Sequence, residues 1–111
     1  MTATFEALAD ESRRRILDLL ADGERSVGDL VGLLSLSQPT VSKHLKALRD
    51  AGLVESRTEG QRRIYRVSPG PLREVDEWLG SFRQEWVGSG DGRVSALERH
   101  LQIMGDADGG L

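Results

Sequence analysis

Apolar positions recur at helical spacing through the first fifty residues. Phe5, Leu8 and Ala9 mark a short first helix. Asp10 then reads as the N-cap of a second helix, Glu11 to Ala21, with Ile16, Leu19 and Leu20 on one face and Gly23 in the place of a C-cap glycine. Ser26 followed by Asp29 has the spacing of a capping box, opening a third helix whose apolar face is Val27, Leu30, Val31 and Leu34. The link Ser35-Leu36-Ser37 leads into a fourth helix, with Ser37 as N-cap and Pro39 in the first turn, where a missing N–H costs nothing. Val41, Leu45 and Leu48 form its buried stripe, and Gly52 ends it.

The period then changes. Two β-type runs, Leu53–Arg57 and Arg63–Val67, flank Thr58-Glu59-Gly60-Gln61 and predict a hairpin with its glycine in the loop. Pro69 and Pro71 open a fifth helix, on which Leu72, Val75, Leu79, Phe82 and Trp86 repeat as a heptad-like seam. The glycines of residues 88–92 break it, and a last helix, Arg93 to Met104, carries Val94, Leu97 and Leu101. These elements predict a mainly α (α+β) fold, a winged helix-turn-helix with a two-stranded β-wing that dimerises through its terminal helices. The expected organisation is a DNA-binding and dimerisation domain over 1–87, a C-terminal helix over 88–104 and a disordered tail over 105–111.

Composition narrows the chemistry. A chain of 111 residues holds one small core. It has no cysteine, which excludes disulfides, thiolate metal sites and thiol redox sensing. The two histidines, His44 and His100, are too few for a histidine-rich metal site, so no metal and no cofactor are expected. Ser, His and Asp occur without a nucleophile-elbow or triad context, so no catalytic residue and no enzyme are expected. No signal peptide opens the chain, and no apolar run approaches the ~20 residues of a membrane span; a cytoplasmic protein without a membrane partner is expected.

Net charge is −3, but its distribution is uneven. Residues 37–67 hold seven Lys and Arg against three acids, and the remainder holds eight against fifteen. A basic middle in an acidic chain is the pattern of a phosphate-facing surface; a solvated charged face is the plain alternative.

The fourth helix separates its two sides cleanly. Val41, Leu45 and Leu48 cluster within an arc of about 60°. Pro39, Ser42, Lys43 and Lys46 lie opposite, with Gln38 at the N-terminal tip. A recognition helix enters the major groove with its N-terminal residues nearest the base edges. Gln pairs with adenine, Lys reaches guanine acceptors, and Ser37 with Thr40 stands at a helix N-terminus suited to phosphate. In the wing, Arg57, Arg62 and Arg63 flank the glycine loop. Strand alternation puts Ile64 with Arg66 on one side and Arg63 with Tyr65 on the other, so these arginines cannot all face DNA; Arg62 and Arg63 are the stronger candidates.

The run Leu36-Ser-Gln-Pro-Thr-Val-Ser-Lys-His-Leu-Lys-Ala-Leu-Arg-Asp-Ala-Gly-Leu-Val54 resembles the recognition segment of the ArsR/SmtB repressor family. Phe5-Glu-Ala-Leu-Ala-Asp-Glu-Ser-Arg-Arg-Arg-Ile-Leu17 resembles the family's opening, and the match extends over roughly residues 4–86. The resemblance implies a homodimer that represses transcription by covering an operator, with Gln38, Pro39, Ser42 and Lys43 toward the groove. Metal sensors of that family carry a Glu-Leu-Cys-Val-Cys-Asp-Leu box. Here the matching run is Glu24-Arg-Ser-Val-Gly-Asp-Leu30, with Ser26 and Gly28 in place of both thiolates. Their alternative site needs paired His and carboxylates on the fifth helix, which offers Asp76 and no histidine. The chain is therefore similar to the cysteine-free branch, whose inducers are diverse or unknown.

Other features read more simply. His44 serves packing or capping, Arg13–Arg15 a solvated helix surface, and His100 the surface of the last helix. Trp78 and Trp86 belong to core or dimer interface rather than to an effector pocket. The core is filled by Ile16, Leu20, Leu30, Leu34, Val41, Leu45, Leu48 and Val54. That leaves Phe5, Leu8, Leu72, Val75, Leu79, Phe82 and Trp86 as an apolar surplus for a dimer interface. Two rivals stand beside this reading: a winged helix used only for protein contact, and a MarR-type regulator, which usually needs longer flanking helices.

Overall fold

The computed structural model describes residues 1–86. Its elements are α1 (Thr2–Leu8), α2 (Glu11–Ala21), β1 (Arg25–Ser26), α3 (Val27–Leu34), α4 (Gln38–Asp50), β2 (Val54–Glu59), β3 (Arg62–Val67), α5 (Gly70–Gly80) and α6 (Arg83–Trp86). The expected helix over 93–104 and the tail over 105–111 lie outside the described residues. The chain divides into two compact units, Met1–Val75 and a second beginning at Asp76.

Local chemistry sets the helix starts. The Asp10 carboxylate accepts the Arg13 N–H at 3.1 Å and caps α2. At α3 the capping box is complete: Ser26 Oγ accepts the Asp29 N–H at 3.1 Å, and Asp29 Oδ2 accepts the Ser26 N–H at 3.0 Å. Between α3 and α4 the chain turns through Ser35, whose φ of 57° is the only positive value on a non-glycine residue among those described.

The end of α4 is a Schellman motif. The Gly52 N–H donates to the Arg49 carbonyl and the Leu53 N–H to the Leu48 carbonyl, each at 2.9 Å, with Gly52 at φ 77°. Leu53 thereby drops into the core, next to the start of β2.

Ile16, Leu30, Val41, Leu45, Leu48 and Leu53 are completely buried, and Leu20, Leu34, Val54 and Tyr65 nearly so. The buried apolar set includes every residue of the expected core, with Ala7, Leu17, Leu53, Ile64 and Tyr65 added. On α1 the inward residues are Thr4 and Ala7, while Phe5 is exposed and Leu8 half-buried against the core.

Two expectations change. The wing is a hairpin of β2 and β3, but the sheet has a third strand: β1 pairs antiparallel with β3, Arg25 opposite Tyr65 and Ser26 opposite Ile64, in the order β1-β3-β2. A central β3 explains why neighbouring Ile64 and Tyr65 are both buried. The hairpin loop is also tighter than expected. Glu59 pairs with Arg62, so only Gly60 and Gln61 turn, with a positive φ at Gly60 alone, as a type II′ turn requires.

The second change is the seam. Leu72 to Trp86 is not one helix; α5 ends at Gly80 and a turn at Ser81-Phe82 precedes α6. Glycine has a low helix propensity, and Ser81 closes the turn by donating its hydroxyl to the Trp78 carbonyl at 2.8 Å. Leu72 packs on the core of its own chain and Val75 is half-buried. Trp78, Leu79 and Phe82 are exposed, with Trp78 and Phe82 meeting edge to face at 5.2 Å.

Candidate nucleic-acid interface

Helix α4 is pinned by Val41, Leu45 and Leu48, all with zero exposure. Three anchors on one stripe fix its rotation, so the opposite stripe is fixed toward solvent. Gln38, Pro39, Ser42, Lys43 and Lys46 are exposed there, and Thr40 is half-buried.

Their side chains are not equally available. Ser37 Oγ accepts the Thr40 N–H at 3.3 Å and donates to Thr40 Oγ1 at 2.9 Å, so both hydroxyls are engaged in the cap. Lys46 Nζ is 2.8 Å from Asp50 Oδ2, one helical turn along, and that ammonium holds the Asp50 carboxyl below its ordinary range. Lys43 has no carboxylate partner among the described residues. Pro39 offers no donor at all, only shape.

The wing sorts its arginines by strand parity. Arg57 opposite Ile64, Glu59 opposite Arg62 and Glu55 opposite Arg66 share the outer face. Thr58 opposite Arg63 and Ser56 opposite Tyr65 share the inner one. The two stronger wing candidates, Arg62 and Arg63, therefore point to opposite faces.

On the outer face every arginine is held. Arg57 lies 2.7 Å from Glu24 and 3.2 Å from Glu59, which raise its pKa further, Glu24 foremost. Arg62 donates to Ser26 Oγ at 3.0 Å and sits 3.4 Å from Asp29; Arg66 is 2.7 Å from Glu55. Arg63 donates to Ser56 Oγ at 3.2 Å and has no carboxylate partner among the described residues.

Sequence reasoning missed Glu24, Asp29 and Glu59 as wing partners. The tie between Glu24 and Arg57 spans 33 positions, and only the pairing of β1 with β3 brings it about. It also missed that Arg13 Nε donates to His44 Nδ1 at 3.3 Å, joining α2 to α4, and that Arg14 donates to the Leu8 carbonyl at 2.6 Å. Of that arginine run only Arg15 is simple surface.

The model of the arsR family of bacterial regulatory proteins matches residues 10–56, from the α2 cap into β2. The HTH-type transcriptional regulator Rv2034 of Mycobacterium tuberculosis is 48% identical over 78 residues, which cover 70% of this chain and 73% of that one. The chain belongs to the ArsR family. It is also similar to the transcriptional repressor SdpR of Bacillus subtilis, 33% identical over 74% of this chain and 91% of that protein. Among solved structures it resembles the homodimeric winged helix-turn-helix DNA-binding domain of a possible ArsR-family regulator from Mycobacterium bovis. That likeness has a TM-score of 0.62 at 34% identity and covers 80% of this chain and 82% of that one.

As an ArsR-family regulator the chain uses its metal-box segment differently. Ser26, at one thiolate position, is buried and serves as both the α3 cap and the acceptor for Arg62. Among the described residues no His, Asp and Glu gather in a group able to hold a metal ion. No helix among them is long and apolar enough to cross a membrane.

Proposed function

We propose that this regulator is a homodimeric repressor that binds an inverted-repeat operator in double-stranded DNA, with α4 in the major groove. It acts in the cytoplasm and catalyses no reaction. The observation that carries the reading is the fixed rotation of α4: three buried aliphatics on one stripe and Gln38, Pro39, Ser42 and Lys43 exposed on the other. In this reading Gln38 and Lys43 read base edges, Ser42 and Pro39 shape the contact, and Arg63 supplies a wing contact to phosphate. Ser37 and Thr40 order the helix N-terminus, and Lys46 contributes only after exchanging its carboxylate for a phosphate, while Arg57 and Arg62 stay held by the carboxylates of the wing's outer face. The likeness to SdpR supports repression, and the likeness to the homodimeric M. bovis domain supports a two-fold assembly.

The test is affinity for one duplex over a range of salt. Each neutralised phosphate releases counterions, so log affinity should fall against log salt by about 0.9 per contact. A flat response would rule out DNA as the partner.

A further inference from the structure

The outer face of the wing is not basic. Its three cations, Arg57, Arg62 and Arg66, meet four carboxylates, Glu24, Asp29, Glu55 and Glu59. Arg57 alone faces two of them, so its immediate surroundings carry net negative charge. Two of the four, Glu24 and Asp29, come from outside the hairpin. The inner face, by contrast, keeps Arg63 beside Thr58 and Ser56 without a carboxylate partner among the described residues.

Resting on the DNA-binding reading above, we propose that Glu24 and Glu59 are specificity-determining residues. They hold Arg57 and close the outer face of the wing to phosphate, so that the wing offers DNA its inner face only. A specific complex is oriented by α4 and uses one face of the wing. A non-specific complex is held by charge alone and settles wherever cations meet phosphates. Carboxylates on the face that the oriented complex does not use therefore weaken the unoriented one more. The pairs are half-exposed, with 49% of the Arg57 side chain and 41% of Glu24 accessible, so a phosphate reaches Arg57 once the acid is gone. The basic stretch over 37–67 conceals this, because it counts both wing faces together and omits Glu24 and Asp29.

The experiment compares wild type with Glu24→Gln on a random-sequence duplex and on a duplex that wild type enriches from a random library, each over a range of salt. Glu74→Gln on α5 serves as the control for an equal change in net charge. Glu24→Gln should tighten random DNA severalfold, tighten the enriched duplex less, and steepen the random-DNA salt slope by up to about 0.9, the value for one cation fully released, since Glu59 still faces Arg57. The gain should disappear when Arg57→Gln is added, and circular dichroism should show both variants folded. A Glu24→Gln response equal to that of Glu74→Gln overturns the proposal. So does a gain that survives Arg57→Gln, or equal gains on both duplexes. Wild type that binds neither duplex fails the DNA-binding reading itself, which is a different result from wild type that binds while Glu24→Gln changes nothing.

Discussion

Among the candidate DNA-contacting cations Lys43 and Arg63 stand apart from Lys46, Arg57 and Arg62, because neither has a carboxylate partner among the described residues. A cation that is already paired gives up that pair before it binds phosphate, so in the proposed complex these two should contribute most per residue. Their placement assigns them different work. Lys43 projects from the exposed stripe of α4 near its N-terminal half, where base edges lie in a groove-bound helix. Lys43→Ala should cost on the order of 1–3 kcal/mol at the operator and much less on random DNA. Arg63→Ala should weaken both duplexes alike and lower the salt slope by about 0.9. Equal losses on the two duplexes for Lys43→Ala would make it a phosphate contact instead. The exposed stripe of α4 was legible in the sequence because helical phase alone separates Lys43 from Leu45. The fate of Arg57 and Arg62 was not, because Glu24 and Asp29 each lie 33 positions from the arginine they hold and no local pattern encodes an ion pair across a sheet.

Elements behave according to how local their signals are. The caps at Asp10, Ser26 and Ser37 were readable because donor and acceptor sit three residues apart. Strand β1 was not, since Arg25 and Ser26 show no alternation and become a strand only by pairing with β3. The break after Gly80 was hidden under a heptad spacing that continued through it. At Gly52 the backbone requirement is separable from packing. A Cβ there would meet Pro71 Cγ at 3.5 Å, ordinary contact, so the φ of 77° alone sets the penalty. Gly52→Ala should therefore cost about 1–2 kcal/mol in urea unfolding; an unchanged midpoint would show that the Schellman turn relaxes. The caps also set an acid limit. The Arg13 N–H foremost holds the Asp10 carboxyl below its ordinary 3.8, and the Ser26 N–H foremost does the same for Asp29. A depressed folded pKa means stability that is complete above the unfolded value and lost as pH falls through the folded one. The urea midpoint should thus hold at neutral pH and decline below about pH 4. Asn caps about as well as Asp, so Asp10→Asn should keep neutral-pH stability and show a shallower acid decline. An acid decline identical to wild type would remove Asp10 from this account.

At the scale of the whole molecule, the open question is what covers the apolar residues that the chain's own core does not. Phe5 is 41% exposed in the first unit, and Trp78, Leu79 and Phe82 are 45%, 37% and 42% exposed in the second. Leu72 is drawn onto the core instead, so the surplus expected from sequence is smaller at that end than the seam implied. Exposed aromatic and leucine side chains are what a two-fold interface uses, since a patch can meet its own copy and close the assembly. A dimer formed this way carries two α4 helices, and an inverted-repeat operator places its half-sites about one turn, roughly 34–36 Å, apart. Affinity for such a site depends on both copies binding together. Leu79→Glu is the direct test, because a carboxylate buried without a partner opposes association while the exposed position spares the fold of the single chain. Sedimentation should then report monomer, circular dichroism should match wild type, and operator affinity should fall toward that for random DNA. Leu79→Gln, which keeps the polarity change without the charge, should weaken the dimer less. If wild type sediments as a monomer at micromolar concentration, or if Leu79→Glu remains dimeric, the apolar ends are not the interface.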